Sequence, residues 1–269
     1  MNPVPVKTAV IPCAGLGTRM LPLTRVVPKE LLPLGHKPLI EHAIDELKEA
    51  GIEHVIIVMR EGKEILQRHL TEPYPFPERA HCPGPVPKSM QLDFVIQKEP
   101  LGLGDALLAA RKAIKGMPFV MLLPDQLLMG SPGATTQLVG HYQGQQTLSS
   151  MVSVPVAETE LFAGARGFEV TGEGPLYTLV GLLGETGTPQ LSNRKRSVRG
   201  FGRTVFSATF LDQIDENSDE SEFTLAFTRF LAEGRHDVVH LEGRPIDVGT
   251  RVAYQHFWKL WEPITAGVA

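Results

Sequence analysis

A short segment near the start of the chain carries the residues that phosphate binding requires. The segment Ala14–Arg19 contains two glycines and directly follows the apolar, β-prone run Thr8–Cys13. Glycines let the backbone turn tightly and direct amide N–H groups at an anion, and the Arg19 guanidinium adds a fixed charge with bidentate geometry. The segment predicts a phosphate-binding loop. A plain turn is the alternative, because the loop lacks the third glycine of a dinucleotide site and the Gly-Lys-Ser/Thr ending of an ATPase loop.

Lys29 is a second candidate for phosphate binding. It lies ten residues beyond Arg19, between Pro28 and an apolar run that ends at Pro33. Prolines hold the backbone in one shape and thereby fix where the lysine side chain reaches. This context favours a phosphate ligand over a solvated surface lysine, which is the commoner fate of lysines.

The elements that would position these residues alternate between strand and helix in the first half of the chain. Short apolar runs are followed by segments with helical spacing of apolar residues, which predicts a mostly parallel sheet with helices on both faces. Asp125 directly follows one predicted buried strand, at the sheet edge where such folds place their ligands. The predicted strands are Thr8–Cys13, His54–Met59, Leu92–Gln97 and Phe119–Leu123, and the predicted helices are Pro38–Ala50, Gly62–Leu70 and Gly104–Lys115.

The pattern changes after about Ser149. Short strand-like runs punctuated by glycines predict a second half that is richer in β-structure. The stretch Gly184–Gly202 shows no core face, Glu222–Ala232 is predicted to be a helix, and Val252–Trp261 is predicted to be a closing amphipathic helix.

Composition narrows the class of protein. The chain has 269 residues, 42% hydrophobic and 21% charged, with a formal net charge of −4, so no basic excess draws it to a nucleic acid polymer. No apolar run reaches the length of a membrane span, and the first residues lack the apolar core of a signal peptide. The two cysteines, Cys13 and Cys82, have no metal-type spacing and indicate a reducing compartment. We expect a cytoplasmic protein.

The order of these segments resembles the signature of the sugar-phosphate nucleotidyltransferase family. The stretch Val10–Leu47 joins the glycine loop, Pro28–Pro33 and Lys37–Ile40, and it is most similar to the bacterial UTP–glucose-1-phosphate uridylyltransferases. The resemblance is dense over residues 6–60, returns at 95–128 and then thins. It implies a three-layer, Rossmann-like α/β fold with a mostly parallel sheet and a β-rich sugar-binding part. It also implies a single domain over 1–269, with a nucleotide-binding half at 1–130 and a sugar-phosphate-binding half at 131–269.

The same resemblance implies a role for individual residues. The loop would bind a nucleoside triphosphate, with Arg19 and Lys29 as the catalytic cations. Gln97 and Gly102 keep the spacing of the base-recognition stretch. Asp125 and Asp247 correspond to the two aspartates that hold Mg²⁺, although either one alone is more often a cap or turn residue. The loop residues assigned to nucleotide binding are Ala14, Gly15, Leu16, Gly17 and Thr18.

The second half departs from the family pattern. The family's Val-Glu-Lys-Pro segment corresponds to Leu183–Pro189, where Glu185 keeps the sugar-binding glutamate but Thr186 replaces the lysine that binds the sugar phosphate. Losing such a contact can cost several kcal/mol. The basic residues 194–196 are candidates for compensation, with a solvated loop as the alternative. Gly167 resembles the sugar-contacting glycine, with altered neighbours.

These observations favour an enzyme that joins a nucleoside triphosphate to a hexose 1-phosphate and releases pyrophosphate. UTP and glucose 1-phosphate are the leading pair, with other bases and hexoses left open. A paralogue that binds nucleotide or nucleotide sugar in a regulatory role is the alternative, because of Thr186. A dehydrogenase is excluded, because no acidic residue follows the loop at the dinucleotide spacing. Relatives often form homo-oligomers, but the sequence leaves the oligomeric state open.

Overall fold

The computed structural model describes residues 4–73, 86–144, 147–162, 164–183, 196–214, 227–228 and 236–265. The strands are β1 Thr8–Pro12, β2 Pro33–Leu34, β3 Lys37–Pro38, β4 His54–Met59, β5 Gln91–Ile96, β6 Phe119–Leu122, β7 Gln126–Met129, β8 Thr147–Pro155, β9 Gly167–Thr171, β10 Leu176–Leu183, β11 Arg196–Phe206, β12 His236–His240 and β13 Arg244–Asp247. The helices are α1 Leu39–Glu49, α2 Glu64–Thr71, α3 Leu103–Ile114, α4 Ala134–Gly140 and α5 Arg251–Thr265.

One nine-stranded sheet runs through the molecule in the order β5-β4-β1-β6-β11-β8-β12-β10-β9. The predicted α/β class is confirmed. The parallel arrangement holds for β1, β4, β5 and β6, which helices connect, and for the pair β8 and β12. The remaining neighbours pair antiparallel, so the sheet as a whole is mixed. For β9 and β10 the reason is that they follow one another without an intervening helix, and a direct return of the chain gives antiparallel pairing.

Helices cover both faces of the sheet and bury two apolar clusters. On one face α1 contributes Ile40, Ala43, Ile44 and Leu47, whose i, i+3, i+4, i+7 spacing forms a single apolar stripe. Residues of α2, α4 and α5 join the same cluster. On the other face α3 packs Leu107 and Ile114 against the sheet. The three predicted layers are therefore present.

The second half differs most from the sequence-based expectation. Residues 196–206 were expected to include a stretch without a core face, but they form β11, which lies between β6 and β8 in the sheet. Helix α4 and the two-stranded ribbon formed by β7 and β13 were not predicted. The predicted helix Glu222–Ala232 lies outside the described residues, apart from 227–228. Within the described part of the chain, no helix is long and apolar enough to cross a membrane.

A buried ion pair anchors β11 to α1. The Arg203 side chain is 1% exposed, and its Nε and Nη2 donate to the two Glu46 oxygens at 2.9 and 2.7 Å. Arg203 Nη1 also donates to the Leu123 carbonyl at 2.9 Å. Burial pushes the pKa of Glu46 upward, but the Arg203 charge and hydrogen bonds outweigh it and hold that pKa below the usual value. Through the Leu123 carbonyl the pair fixes the chain just after β6, shortly before Asp125.

We expect Glu46→Gln to lower the free energy of unfolding by about 1.5–3 kcal/mol at pH 7, because the buried Arg203 would lose its counter-charge. A depressed folded-state pKa contributes stability above the unfolded value, 4.5, and loses it as pH falls through the folded value. The gap between variant and wild type should therefore narrow below pH 4.5. Urea unfolding at several pH values measures this gap.

Glu41→Gln is the matched control, because Glu41 lies on the same helix and pairs with a half-exposed His69. Its effect should stay below about 1 kcal/mol. A Glu46→Gln variant as stable as Glu41→Gln at pH 7 would contradict the expectation.

Candidate active site

The glycine loop lies at the carboxyl end of the central strand β1. The Cys13 amide donates to the Val58 carbonyl at 2.7 Å, which extends the pairing of β1 with β4 up to the loop. Gly17 has φ +68°, and a Cβ atom there would lie 2.9 Å from Thr24 Cγ2, so the turn requires glycine. A Cβ atom at Gly15 would meet nothing within 4 Å. The predicted loop therefore follows its strand, with open space beside Gly15.

Lys29 and Asp125 form a close ion pair at this sheet edge. Lys29 Nζ lies 2.8 Å from Asp125 Oδ2, and the lysine side chain is 21% exposed. Burial lowers the pKa of Lys29, but the Asp125 and Glu30 carboxylates outweigh it and raise that pKa above its ordinary value. Lys29 is therefore a positively charged group across the pH range of enzyme assays.

Asp247 reaches the same place through the β7–β13 ribbon. In that ribbon Asp247 pairs with Gln126, the residue that follows Asp125. The Gln126 Nε2 donates to Asp247 Oδ2 at 2.9 Å, and the Gly249 amide donates to Asp247 Oδ1 at 2.8 Å. A Cβ atom at Gly249 would lie 2.8 Å from Asp125 Oδ2 and 2.9 Å from Asp247 Oδ1. Both carboxylates thus border one small volume, which a side chain at position 249 would fill.

The two aspartates have opposite pKa shifts. Burial and then the Asp125 charge raise the pKa of Asp247 to about 6. Burial also pushes the pKa of Asp125 upward, but the charge and hydrogen bond of Lys29 hold it below the usual value. Two buried carboxylates that border one volume repel each other, and a bound cation would relieve that repulsion. Among the described residues no group of three potential metal-ligating side chains occurs, so these two carboxylates are the candidate donors.

Arg19 borders the acid pair from the side of the glycine loop. It lies in a single 3₁₀ turn, Thr18–Met20. A Cβ atom at Gly249 would be 3.6 Å from Arg19 Nη2, and one at Gly164 would be 2.5 Å from Arg19 Nη1. The guanidinium therefore lies between the acid pair and Gly164, and its charge acts to lower the pKa of both aspartates.

Gln97 and Gly102 are joined directly. The buried Gln97 side chain donates from Nε2 to the Gly102 carbonyl at 3.0 Å and to Asp105 Oδ2 at 2.7 Å. Gly102 has φ +120° and caps the start of α3. The spacing of five residues thus closes a turn that holds the glutamine amide at one end of α3.

A cavity of about 210 Å³ extends from the start of α3 toward the second half of the sheet. It is lined by Leu103 beside Gly102, by Gln126 beside Asp125, and by Gly164, Arg166 and Phe168. Gly167 itself is buried at the start of β9 and pairs with Leu183 and Arg199. Its neighbours, rather than Gly167, face the cavity. Glu185 and Thr186 lie outside the described residues, so their predicted role is not tested.

Sequence reasoning missed three residues near the site. Gln126 and Glu30 were not singled out, although they stand next to Asp125 and Lys29 in the chain. Lys63 was treated only as part of a helix, but it is buried and paired with Glu30. No local pattern distinguishes a buried lysine of this kind from a surface lysine. The binding roles predicted for the other site residues stay predictions.

Comparison with known proteins identifies the family. A model of the Nucleotidyl transferase family matches residues 8–165. The UTP–glucose-1-phosphate uridylyltransferase of Bacillus subtilis (strain 168) is 32% identical over 93% of this chain and 88% of its own length. The enzyme of the same name from Haemophilus influenzae is 28% identical over 91% of this chain and 90% of its own length. The chain belongs to the nucleotidyl transferase family, as the sequence motifs predict.

Solved structures share the fold over nearly the whole chain. A UTP-bound UGPase from Acinetobacter baumannii superposes with a TM-score of 0.81 at 25% identity, over 95% of this chain and 93% of that one. A UDP-glucose pyrophosphorylase complexed with UDP-glucose gives 0.79 at 24% identity, over 96% and 99% of the two chains. The likeness covers both halves of the sheet, including β11 and the strands that follow it.

Proposed function

We propose that the chain transfers a uridylyl group from UTP to glucose 1-phosphate, giving UDP-glucose and pyrophosphate. The observation that carries the proposal is the convergence of Asp125 and Asp247 on one small volume beside Lys29 and Arg19. The named relatives, similar along most of the chain, support the choice of substrates. Within the described residues nothing favours a regulatory binding protein, and a pure binder has less need of all four charged groups.

The chemistry requires charge neutralisation more than covalent help from the protein. An oxygen of the sugar phosphate attacks the α-phosphorus of UTP, the bond to the bridging oxygen of the β-phosphate breaks, and pyrophosphate leaves with that electron pair. Both reactants are anions, so positioning and positive charge lower the barrier. Arg19 and Lys29 supply fixed positive charge next to the glycine loop. The loop amides would hold the phosphates of UTP in line with the acceptor.

The acid pair fits a divalent cation, and we propose Mg²⁺. Two carboxylates at a narrow, glycine-lined point match the one or two carboxylates by which proteins commonly hold Mg²⁺, which keeps its other positions for water and phosphate. Such an ion supplies neutralisation of phosphate charge when it is bound. Asp125 and Asp247 would hold it, and the backbone amide of Gly249 keeps Asp247 oriented.

The hydrogen bonds of Gln97 leave its side-chain oxygen as an acceptor for a donor group of the base. An amide NH₂ group has two donors, and Gly102 and Asp105 occupy both. The Gln97 side-chain oxygen is then the group left for a base, and it accepts. Uracil and thymine present an N3–H donor, whereas the N3 of cytosine is an acceptor. Cytosine can donate to the same oxygen from its N4 amino group, so the preference for UTP rests on the named relatives.

The direct test is pyrophosphate release by the purified protein, with UTP, dTTP, CTP, ATP and GTP against glucose, galactose and N-acetylglucosamine 1-phosphates. We expect the highest kcat/KM for UTP with glucose 1-phosphate in Mg²⁺, and none in chelator. CTP should give a lower kcat/KM, because the named relatives act on UTP. Tight UTP binding without pyrophosphate release from any pair would refute transfer.

The cytoplasmic location and the division at residue 130 stay predictions.

A further inference from the structure

A buried lysine joins two segments of the proposed triphosphate site. Lys63 Nζ lies 2.9 and 3.1 Å from the two Glu30 carboxylate oxygens, and the Lys63 and Glu30 side chains are 4% and 2% exposed. The same ammonium donates to the Cys13 carbonyl. A buried ion pair is weak evidence for stability, because desolvation of the two charges can exceed their attraction. A contribution to stability is therefore a weak explanation for the Lys63–Glu30 pair.

The two partners of Lys63 lie next to two separate segments, the glycine loop and the segment that carries Lys29. Cys13 directly precedes the glycine loop, and Glu30 directly follows Lys29. Lys63 is 50 residues from the first partner and 33 from the second along the chain. The loop and the lysine segment thus share one buried anchor, supplied by a third part of the chain.

The local fold places Lys63 at that point. It lies between β4 and α2, after Gly62, whose φ of +83° turns the chain at the end of the strand. The Gly62 amide donates to Glu64 Oε1 at 2.9 Å, and the Leu66 amide donates to the Lys63 carbonyl at 2.9 Å. The backbone on both sides of Lys63 is therefore fixed by hydrogen bonds.

The two anchored segments form the walls of a cleft. Its volume is about 110 Å³, and it is lined by Gly15 and Leu16 on one side and by residues 24–29 on the other, with Arg60, Gly62 and Lys63 completing it. The three N–H groups of the Lys63 ammonium have three acceptors: two Glu30 oxygens and the Cys13 carbonyl. No donor is left for a phosphate, so Lys63 acts through its neighbours.

We propose that Lys63 is a positioning residue for nucleotidyl transfer: with Glu30 it sets the distance between the glycine loop and Lys29. This inference rests on the proposed function and deepens it. A displacement of about 1 Å in groups that position a substrate can cost about 10²-fold in rate. Loss of the anchor should weaken the binding of UTP and lower kcat, while the contacts of the sugar stay unchanged.

The test replaces the whole ion pair, because an apolar pair of similar volume is often as stable as a buried ion pair. We expect the double variant Lys63→Met/Glu30→Leu to keep its Tm within a few degrees of wild type. The dissociation constant for UTP in Mg²⁺ should rise by about tenfold or more, with the KM for glucose 1-phosphate within about twofold. Wild-type affinity for UTP in this variant would overturn the proposal.

Two further variants keep the test decisive. Glu30→Gln preserves side-chain size and is used if the double variant does not fold. It should raise the dissociation constant for UTP about threefold or more. An unchanged dissociation constant in this variant would overturn the proposal. Ile114→Ala removes buried volume at the far end of α3 and should lower Tm without changing UTP affinity. If the wild-type protein binds UTP but shows no transfer, the proposed function is wrong. The role of Lys63 is then still tested by the UTP affinities of the variants.

Discussion

Asp125→Asn is expected to lower kcat by about a thousandfold or more while the fold is retained. Asparagine has the size of aspartate but no charge, so the proposed cation site would keep only Asp247. Charge stabilisation by a bound cation contributes several kcal/mol to phosphoryl-type transfer, and each 1.36 kcal/mol is a factor of ten in rate. The substitution would also remove the counter-charge of Lys29, which lies 2.8 Å away.

The measurement is steady-state turnover of UTP and glucose 1-phosphate at saturating Mg²⁺, with Tm recorded for each variant. Asp212→Asn is the control, because Asp212 is a 65% exposed carboxylate paired with Arg111 on the protein surface. Its activity should match wild type. An Asp125→Asn enzyme with more than about a tenth of wild-type kcat would show that this carboxylate does not hold the catalytic cation.

Lys29→Met is expected to reduce kcat by about 10²–10³-fold and to raise the KM for UTP. Removing one preorganised group that stabilises developing charge typically costs about that factor. Methionine preserves most of the side-chain length, so the loss reports the charge. Lys29→Arg should recover little, because a planar guanidinium does not replace a compact ammonium packed against Asp125 Oδ2.

Single-turnover kinetics with preloaded UTP separate the chemical step from nucleotide binding. Lys7→Met is the control variant, since Lys7 forms an exposed pair with Glu53 and lies away from the loop. Lys7→Met should behave as wild type in both steps. If Lys29→Met raised KM alone and left the chemical step unchanged, Lys29 would be a binding residue and not a catalytic one.

The sequence predicted the first half of the fold well because its signals are local. Strand β4 is predicted by a continuous apolar run, and helix α3 is predicted by the helical spacing of its apolar residues. Each signal lies within a single element. The glycine loop and Lys29 stood out for the same reason. Asp125 was placed at the correct sheet edge because it comes shortly after the buried strand β6.

The second half was harder because its core is partly charged and its pairings are distant. Strand β11 contains the buried Arg203, whose partner Glu46 is 157 residues away, and two glycines interrupt its apolar alternation. The β7–β13 ribbon joins segments that are more than a hundred residues apart, and no local sequence pattern predicts their pairing. The resemblance alone pointed to Asp247, and the structure shows how that residue comes to lie beside Asp125.

Because the ribbon pairs two distant segments, the two aspartates can come together only after both segments have been synthesised. Gln126 and its partner Asp247 are 121 residues apart. At ordinary elongation rates an interval on the order of ten seconds separates their synthesis. During that interval a nascent chain already contains the loop, Lys29 and Asp125, yet it lacks one of the two carboxylates of the proposed cation site. If Asp125 and Asp247 hold the cation as proposed, the chain becomes competent for turnover only after residue 247 has been made.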